Sequence, residues 1–129
     1  MMLVKSYIAQ SKIEGIGIFA GQDIKKGTMI WKFNSIIDKK ITKKEYEYLP
    51  EIAQKAVKHY AYMNKKGDRI LCGDDARFFN HSDNPTCVDN DSLEEEDITV
   101  AKRDIKKGEE ITSDYRSFDY SAEDKFVIN

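Results

Sequence analysis

Three short stretches of this chain hold residue types that could do chemistry if the fold brought them together. Gly15-Ile16-Gly17, just ahead of Phe19, lets backbone turn tightly or approach a ligand closely, because neither glycine carries a Cβ. Arg77-Phe78-Phe79-Asn80-His81-Ser82 runs into Asp83-Asn84-Pro85-Thr86-Cys87. Its amide and imidazole could meet a ligand or simply make a polar turn. Gly108-Glu109-Glu110-Ile111-Thr112 leads to Ser113-Asp114-Tyr115 and sets a phenol beside a carboxylate. Each stretch alone is a weak signal. A lone Gly-x-Gly more often marks a turn than a ligand loop, and a tyrosine at a strand end more often packs in a core or at its rim. The order and spacing of all three carry the information.

The elements that must position these residues are punctuated by a repeat. Asp23-Ile24-Lys25-Lys26-Gly27 recurs as Asp104-Ile105-Lys106-Lys107-Gly108, with Ala20 and Ile30 matched by Ala101 and Ile111 at the same offset of 81. Each copy reads as strand, tight turn, strand. Asp favours turn entry by accepting from backbone amides, the lysines sit in water, and Gly supplies a positive φ at the exit. Residues 3–9 suit an edge strand, 18–20 and 28–33 are strands flanking the first turn, and 98–103 and 110–115 flank the second. Thr42-Lys43-Lys44-Glu45 is a capping-box pattern that starts a short helix ending near Leu49-Pro50. Glu51 to about Lys58 predicts a second helix, with Ile52, Ala53, Ala56 and Val57 on one face. Residues 59–72 return to a β pattern, broken by a hairpin at Lys65-Lys66-Gly67-Asp68. The expectation is one mainly β domain over residues 1–129, with a helical insert at about 41–58.

Composition limits the function classes. Hydrophobic residues make up 40% and charged residues 34%, as in a soluble globular chain. No long apolar run marks a leader or a membrane span, so neither is expected. Cys72 and Cys87 could form one bridge, but two reduced, buried thiols fit an intracellular protein better. With His59 and His81 as the only histidines, no zinc site is expected. Net charge is −2 but uneven: residues 1–66 hold thirteen cationic against six acidic side chains, and residues 67–129 hold eight against seventeen. The run Asp89–Asp97 reads as a solvated loop or as an acidic lip for a basic partner. No basic, aromatic-rich stripe points to nucleic acid.

Taken together, Gly-Ile-Gly-Ile-Phe-Ala, Arg-Phe-Phe-Asn-His-Ser and Gly-Glu-Glu-Ile-Thr-Ser-Asp-Tyr resemble the three motifs of the SET-domain family of protein-lysine methyltransferases. The resemblance runs from about Ile8 to Phe118. It implies a β-clip fold of several small sheets with a C-terminal pseudoknot, the tail starting near residue 116. It also implies methyl transfer from S-adenosylmethionine to a protein lysine. By the resemblance, the cofactor lies against Gly15, Ile16, Gly17, Phe19, Arg77, Phe79, Asn80 and His81, with the glycine loop at its methionine end. Tyr115 matches the tyrosine whose hydroxyl stands at the transfer site, and Tyr60, Tyr62, Phe118 and Tyr120 are candidate walls of the lysine channel. Arg77 and Asp114 are candidates for an ion pair inside the fold.

The chain also departs from common family patterns. Residues 121–129 hold no cysteine, so no zinc cluster closes the channel there. Ser113 precedes Asp114 where some relatives carry an aromatic that limits the number of methyls, which leaves that number open. The short length resembles free-standing bacterial or viral members. The expected partner is a protein with a target lysine in a basic segment, histone-like or ribosomal. It would lie as an added strand on an exposed edge, with a second copy of the chain as a further partner. Nucleic acid and membrane are not expected partners. The expected location is intracellular: cytoplasmic in a bacterium, nuclear or cytoplasmic otherwise. The alternative is a non-catalytic β-clip, a degenerate SET module that binds a protein or small ligand.

Overall fold

The computed structural model of this protein describes residues 1–90 and 98–121. In chain order they form β1 (Ser6–Gln10), β2 (Ile16–Ala20), β3 (Met29–Lys32), β4 (Lys39–Ile41), α1 (Lys43–Tyr48) and α2 (Glu51–Tyr60). There follow β5 (Tyr62–Met63), β6 (Arg69–Leu71), β7 (Asn80–His81), β8 (Cys87–Asn90), β9 (Ile98–Ala101) and β10 (Thr112–Ser113). Short strands of this kind cannot build one large sheet. They pair instead into β1-β2, β3-β9-β8, β4-β6-β5 and β10-β7. The first three sheets are antiparallel, and β7 with β10 is parallel, Asn80 opposite Thr112 and His81 opposite Ser113. The expected mainly β architecture of small sheets is what the chain adopts.

The two copies of Asp-Ile-Lys-Lys-Gly dock on each other. Ile24 and Ile105 exchange both backbone hydrogen bonds at 2.7 Å. The Asp104 carboxylate accepts from the Lys26 amide at 2.8 Å, and Asp23 accepts from the Lys107 amide at 2.9 Å. Gly27 N–H donates to Ala101 and Gly108 N–H to Ala20, each at 2.8 Å. Each of these bonds in one copy has its counterpart 81 residues away. This corrects the local reading of the aspartates, because each caps the other copy's turn and not its own. A turn this short presents its amides outward, and the facing copy brings the nearest acceptor. Gly27 and Gly108 hold the positive φ expected of them, +86° and +93°. Ile24 and Ile105 are thereby driven into a core with Ile18, Ile30, Cys87 and Ile111.

The helical insert packs more lightly. Thr42 accepts from the Glu45 amide at 3.1 Å, and Glu45 accepts in return from the Thr42 amide at 3.0 Å, so the capping box forms as read. α2 runs two residues further than expected, to Tyr60. Its packed stripe is Val57 and the following Ala61, set four apart and clustered with Ile41, with Ala53 half-buried and Ala56 exposed. Ile52 is rotated off that stripe and is 82% exposed, which corrects its place on the packed face. Among the described residues no helix is long and apolar enough to cross a membrane.

If the mutual docking of the turns holds the core, Ile105→Ala will cost about 3 kcal/mol in urea unfolding. Ile52→Ala will change it by less than about 0.5 kcal/mol. Equal midpoints for the two variants would refute the assignment.

Candidate active site

The parallel β7–β10 pair brings the second and third motifs side by side, and the β1–β2 turn places the first against them. A cavity of about 990 Å³ opens between them. Gly15, Ile16, Arg77, Phe79, Asn80, His81 and Tyr115 line it, as do the four aromatics read as channel candidates, Tyr60, Tyr62, Phe118 and Tyr120. Gly17 and Phe19 do not line it. Phe19 points away and stacks on Tyr7 across the hairpin at 5.6 Å between centroids, because side chains alternate faces along β2 and Ile18 takes the core side.

Gly17 has a reason of its own. A Cβ there would stand 2.5 Å from Glu110 Oε2 and 3.0 Å from Asn80 Nδ2. Those two groups form a brace behind the glycine turn. Asn80 Nδ2 donates to Glu110 Oε2 at 2.9 Å and reaches the carbonyls of Glu14 and Ile16 at 3.2 and 3.3 Å. The Ser11 hydroxyl donates to Glu110 Oε1 at 2.6 Å. The Asn80 amide therefore holds the glycine loop in place from within the protein. Gly15, at φ +46°, makes the turn that the loop needs.

Tyr115 is held at three points. Its hydroxyl donates to the Phe79 carbonyl in a short bond, and its amide donates to His81 Nδ1 at 3.2 Å. Its ring meets Phe118 edge-on with centroids 6.0 Å apart. Aromatic contacts continue from Phe118 to Tyr62 at 5.2 Å and from Tyr62 to Trp31 at 6.4 Å, so the cavity has a continuous aromatic wall. Because His81 Nδ1 accepts, its ring proton lies on Nε2, which donates to Asp83 Oδ1 at 2.9 Å. Burial pushes the Tyr115 phenol up to about 12, with the carboxylates of Asp119, Glu14 and Glu110 adding to the effect. Near neutral pH this phenol is a hydrogen-bond group and not a base.

The expected Arg77–Asp114 pair does not form. Arg77 donates through Nε and Nη2 to the Cys72 carbonyl at 3.2 and 2.9 Å and lies over the Tyr60 ring at 5.6 Å. Asp114 bonds the Arg116 side chain at 3.1 Å. Burial would raise the Asp114 carboxyl, but its hydrogen bonds to Arg116 outweigh burial and hold it below the usual range. The 3₁₀ turn Asp75–Phe78 separates Arg77 from Asp114 by directing the guanidinium back along its own segment.

Several site residues escaped the linear reading. Glu110 sat inside a quoted motif, but its partner Ser11 lies 99 residues away, so nothing local marked the brace. Trp31 and Asp119 also line the cavity. Asp119 is 5% exposed and accepts from Met63 N at 3.0 Å, which ties the C-terminal segment to β5. The Lys55 and Lys58 side chains stand at its margin on α2. The acidic stretch 91–97 and residues 122–129 lie outside the described residues. Among the described residues no three of His, Cys, Asp and Glu gather as a metal site.

A family model described as SET domain matches residues 15–116. The chain is 34% identical over 118 residues to human histone-lysine N-methyltransferase 2D, covering 88% of this chain and 2% of that protein. It is 32% identical over 123 residues to a Debaryomyces hansenii histone-lysine N-methyltransferase, H3 lysine-36 specific, covering 90% of this chain and 17% of the relative. It thus spans only a small part of these relatives' length. A Plasmodium falciparum crystal structure, provisionally assigned as a histone methyltransferase, matches with TM-score 0.62 at 25% identity, covering 88% of this chain and 95% of that one. The Chaetomium thermophilum Polycomb Repressive Complex 2, bound to S-adenosylmethionine, matches in fold with TM-score 0.69 at 20% identity, covering 96% of this chain and 16% of that one.

Two outcomes test this geometry. Burial pushes both the Cys72 and Cys87 thiols up to about 12, whereas unfolded thiols titrate near 8.5. Iodoacetamide at about pH 8 will therefore leave the folded protein unmodified and label both cysteines in urea. Glu110→Gln replaces one carboxylate oxygen with a donor facing a donor, and will lower stability by about 2 kcal/mol in urea unfolding.

Proposed function

The chain belongs to the SET domain family, and from that premise we propose that it transfers a methyl group from S-adenosylmethionine to a lysine side chain of a protein. The observation that carries this reading is Tyr115, held between the Phe79 carbonyl and His81 on the wall of an aromatic-lined cavity.

The residues fit the cofactor. A cavity of about 990 Å³ is large enough for a nucleoside with an amino-acid arm. Gly15, Ile16, Asn80 and His81 bring polar groups to its lining, Arg77 offers a cation, and Phe79 and Tyr60 are apolar walls. When bound, the cofactor supplies a methyl group on a positively charged sulfur. The rest is done by this chain's residues. A lysine amine is protonated in water, with a pKa of about 10.4. The aromatic wall of Tyr62, Phe118 and Tyr115 disfavours the ammonium and releases its proton to solvent before the amine is enclosed. The neutral nitrogen would then be the nucleophile that accepts the methyl group from the sulfonium, its lone pair oriented by the residues of this wall. Tyr115 keeps its proton, because its hydroxyl donates to Phe79, so its oxygen serves as an acceptor that orients the amine and favours the polarised methyl.

The protein substrate offers its lysine from an extended segment. The preference for a basic segment, histone-like in kind, is supported by the relatives' names and by the acidic run Asp89–Asp97 in sequence. The cavity lining holds Lys55, Lys58 and Lys65 against Glu14, Asp89 and Asp119, so attraction of that segment rests chiefly on the acidic run.

A titration of S-adenosylmethionine, followed by a transfer assay on mixed basic proteins, tests the proposal. Wild type will bind saturably and Asn80→Ala will bind at least about tenfold more weakly, because the glycine loop loses its brace. Tyr115→Phe will bind as wild type does, but its transfer rate will fall by about a hundredfold or more. A folded wild type that binds no cofactor would instead support a non-catalytic β-clip module.

A further inference from the structure

The mutual docking of the two turns explains their aspartates, isoleucines and glycines, but not their lysines. Any polar residue could occupy positions 25, 26, 106 and 107. Ile24 and Ile105 point inward, at 3% and 1% exposure. Side chains alternate along paired strands, so the next residues, Lys25 and Lys106, point outward on one face on either side of the pseudo-twofold. Lys26 and Lys107 follow, with their backbones fixed by the opposite aspartates. Lys102 and Arg103 add two exposed cations just before the second turn. Among the described residues none of these five lysines has an ion-pair partner. Three carboxylates share the region, Asp23 and Asp104 tied down by backbone amides and Glu109 paired with Arg103 at 3.0 Å, so the six cations outnumber the acidic groups two to one.

We infer that this face binds the phosphate backbone of a nucleic-acid duplex. A rigid face with like cations repeated about a twofold suits a partner with like anions in a repeated row. None of the six side chains is aromatic, so none can stack an unpaired base, and contact is to the backbone without sequence preference. None of the six lines the cavity, so a bound duplex leaves the mouth free for cofactor and substrate. Reading along the chain missed this surface, because the two lysine pairs are 81 residues apart and meet only through the fold. The inference does not rest on the methyl-transfer proposal.

Fluorescence anisotropy of a labelled random-sequence DNA duplex of about two helical turns tests it, with sodium chloride varied from low to physiological. Wild type will bind in the micromolar range at low salt, and four phosphate contacts will give a log–log salt slope of about −3 to −4. The quadruple variant Lys25→Gln, Lys26→Gln, Lys106→Gln, Lys107→Gln will lose at least about tenfold in affinity and most of that slope. Its thermal midpoint and its S-adenosylmethionine titration will match wild type, which separates a lost surface from a lost fold. Equal affinity of the two proteins, or no binding by wild type at low salt, would overturn the inference. So would tighter binding to vesicles containing phosphatidylserine than to the duplex.

Discussion

The antiparallel contact of Ile24 with Ile105 is the constraint on which the rest of this structure depends. Two segments 81 residues apart each lack partners for their turn amides, and each carries the acceptors that the other needs. Burying a turn without such partners would leave orphaned backbone groups, each costing about 1–3 kcal/mol. Docking satisfies both sets at once and drives two isoleucines into the core beside Ile18 and Ile111. Together with the β3–β9 pairing beside it, this contact holds the early and late segments in register. The bonds from Ala20 N to Glu109 O and from Ile111 N to Ile18 O extend that register toward the cavity.

From that register follows the brace behind the glycine turn. Glu110 is one residue from Ile111 and two from Gly108, so a fixed second turn delivers its carboxylate to Gly17, Asn80 and Ser11. The brace joins all three motifs through one side chain. It also gives Gly17 a role other than close approach to a ligand: the missing Cβ is where the carboxylate sits. The parallel pairing of Asn80–His81 with Thr112–Ser113 then sets Tyr115 within reach of Phe79 and His81. Positioning of the phenol is thus two steps removed from the turns but mechanically continuous with them.

Charge is distributed by the same architecture. The chain's net charge of −2 conceals a cationic face at the twin turns and cations at the margin of the cavity. Inside the site, burial pushes Tyr115 and the Cys72 thiol up, and the Arg77 guanidinium is turned onto a carbonyl and an aromatic ring. The aromatic stretch of Tyr62, Phe118 and Tyr115 is the part of the lining against which an ammonium is disfavoured and an amine is not.

What the sequence determined by itself were the local features: the capping box at Thr42 and Glu45, the positive φ of Gly27 and Gly108, and the alternation of short strands with turns. These depend on a few neighbouring residues and on backbone sterics, so a window of five or six residues is enough to read them. The three motifs were legible for the same reason, as was their membership of one family through order and spacing. Tertiary structure alone decided where the polar groups went. Asp23 reaches across to Lys107, Glu110 meets Ser11, Arg77 turns to Cys72 and not to Asp114, and Ile52 faces water while Val57 does not. A hydrogen bond needs its partners within about 3 Å in space, whatever their separation along the chain. Which acceptor a given donor meets is therefore set by the docking of elements, and no local pattern of residue types records it.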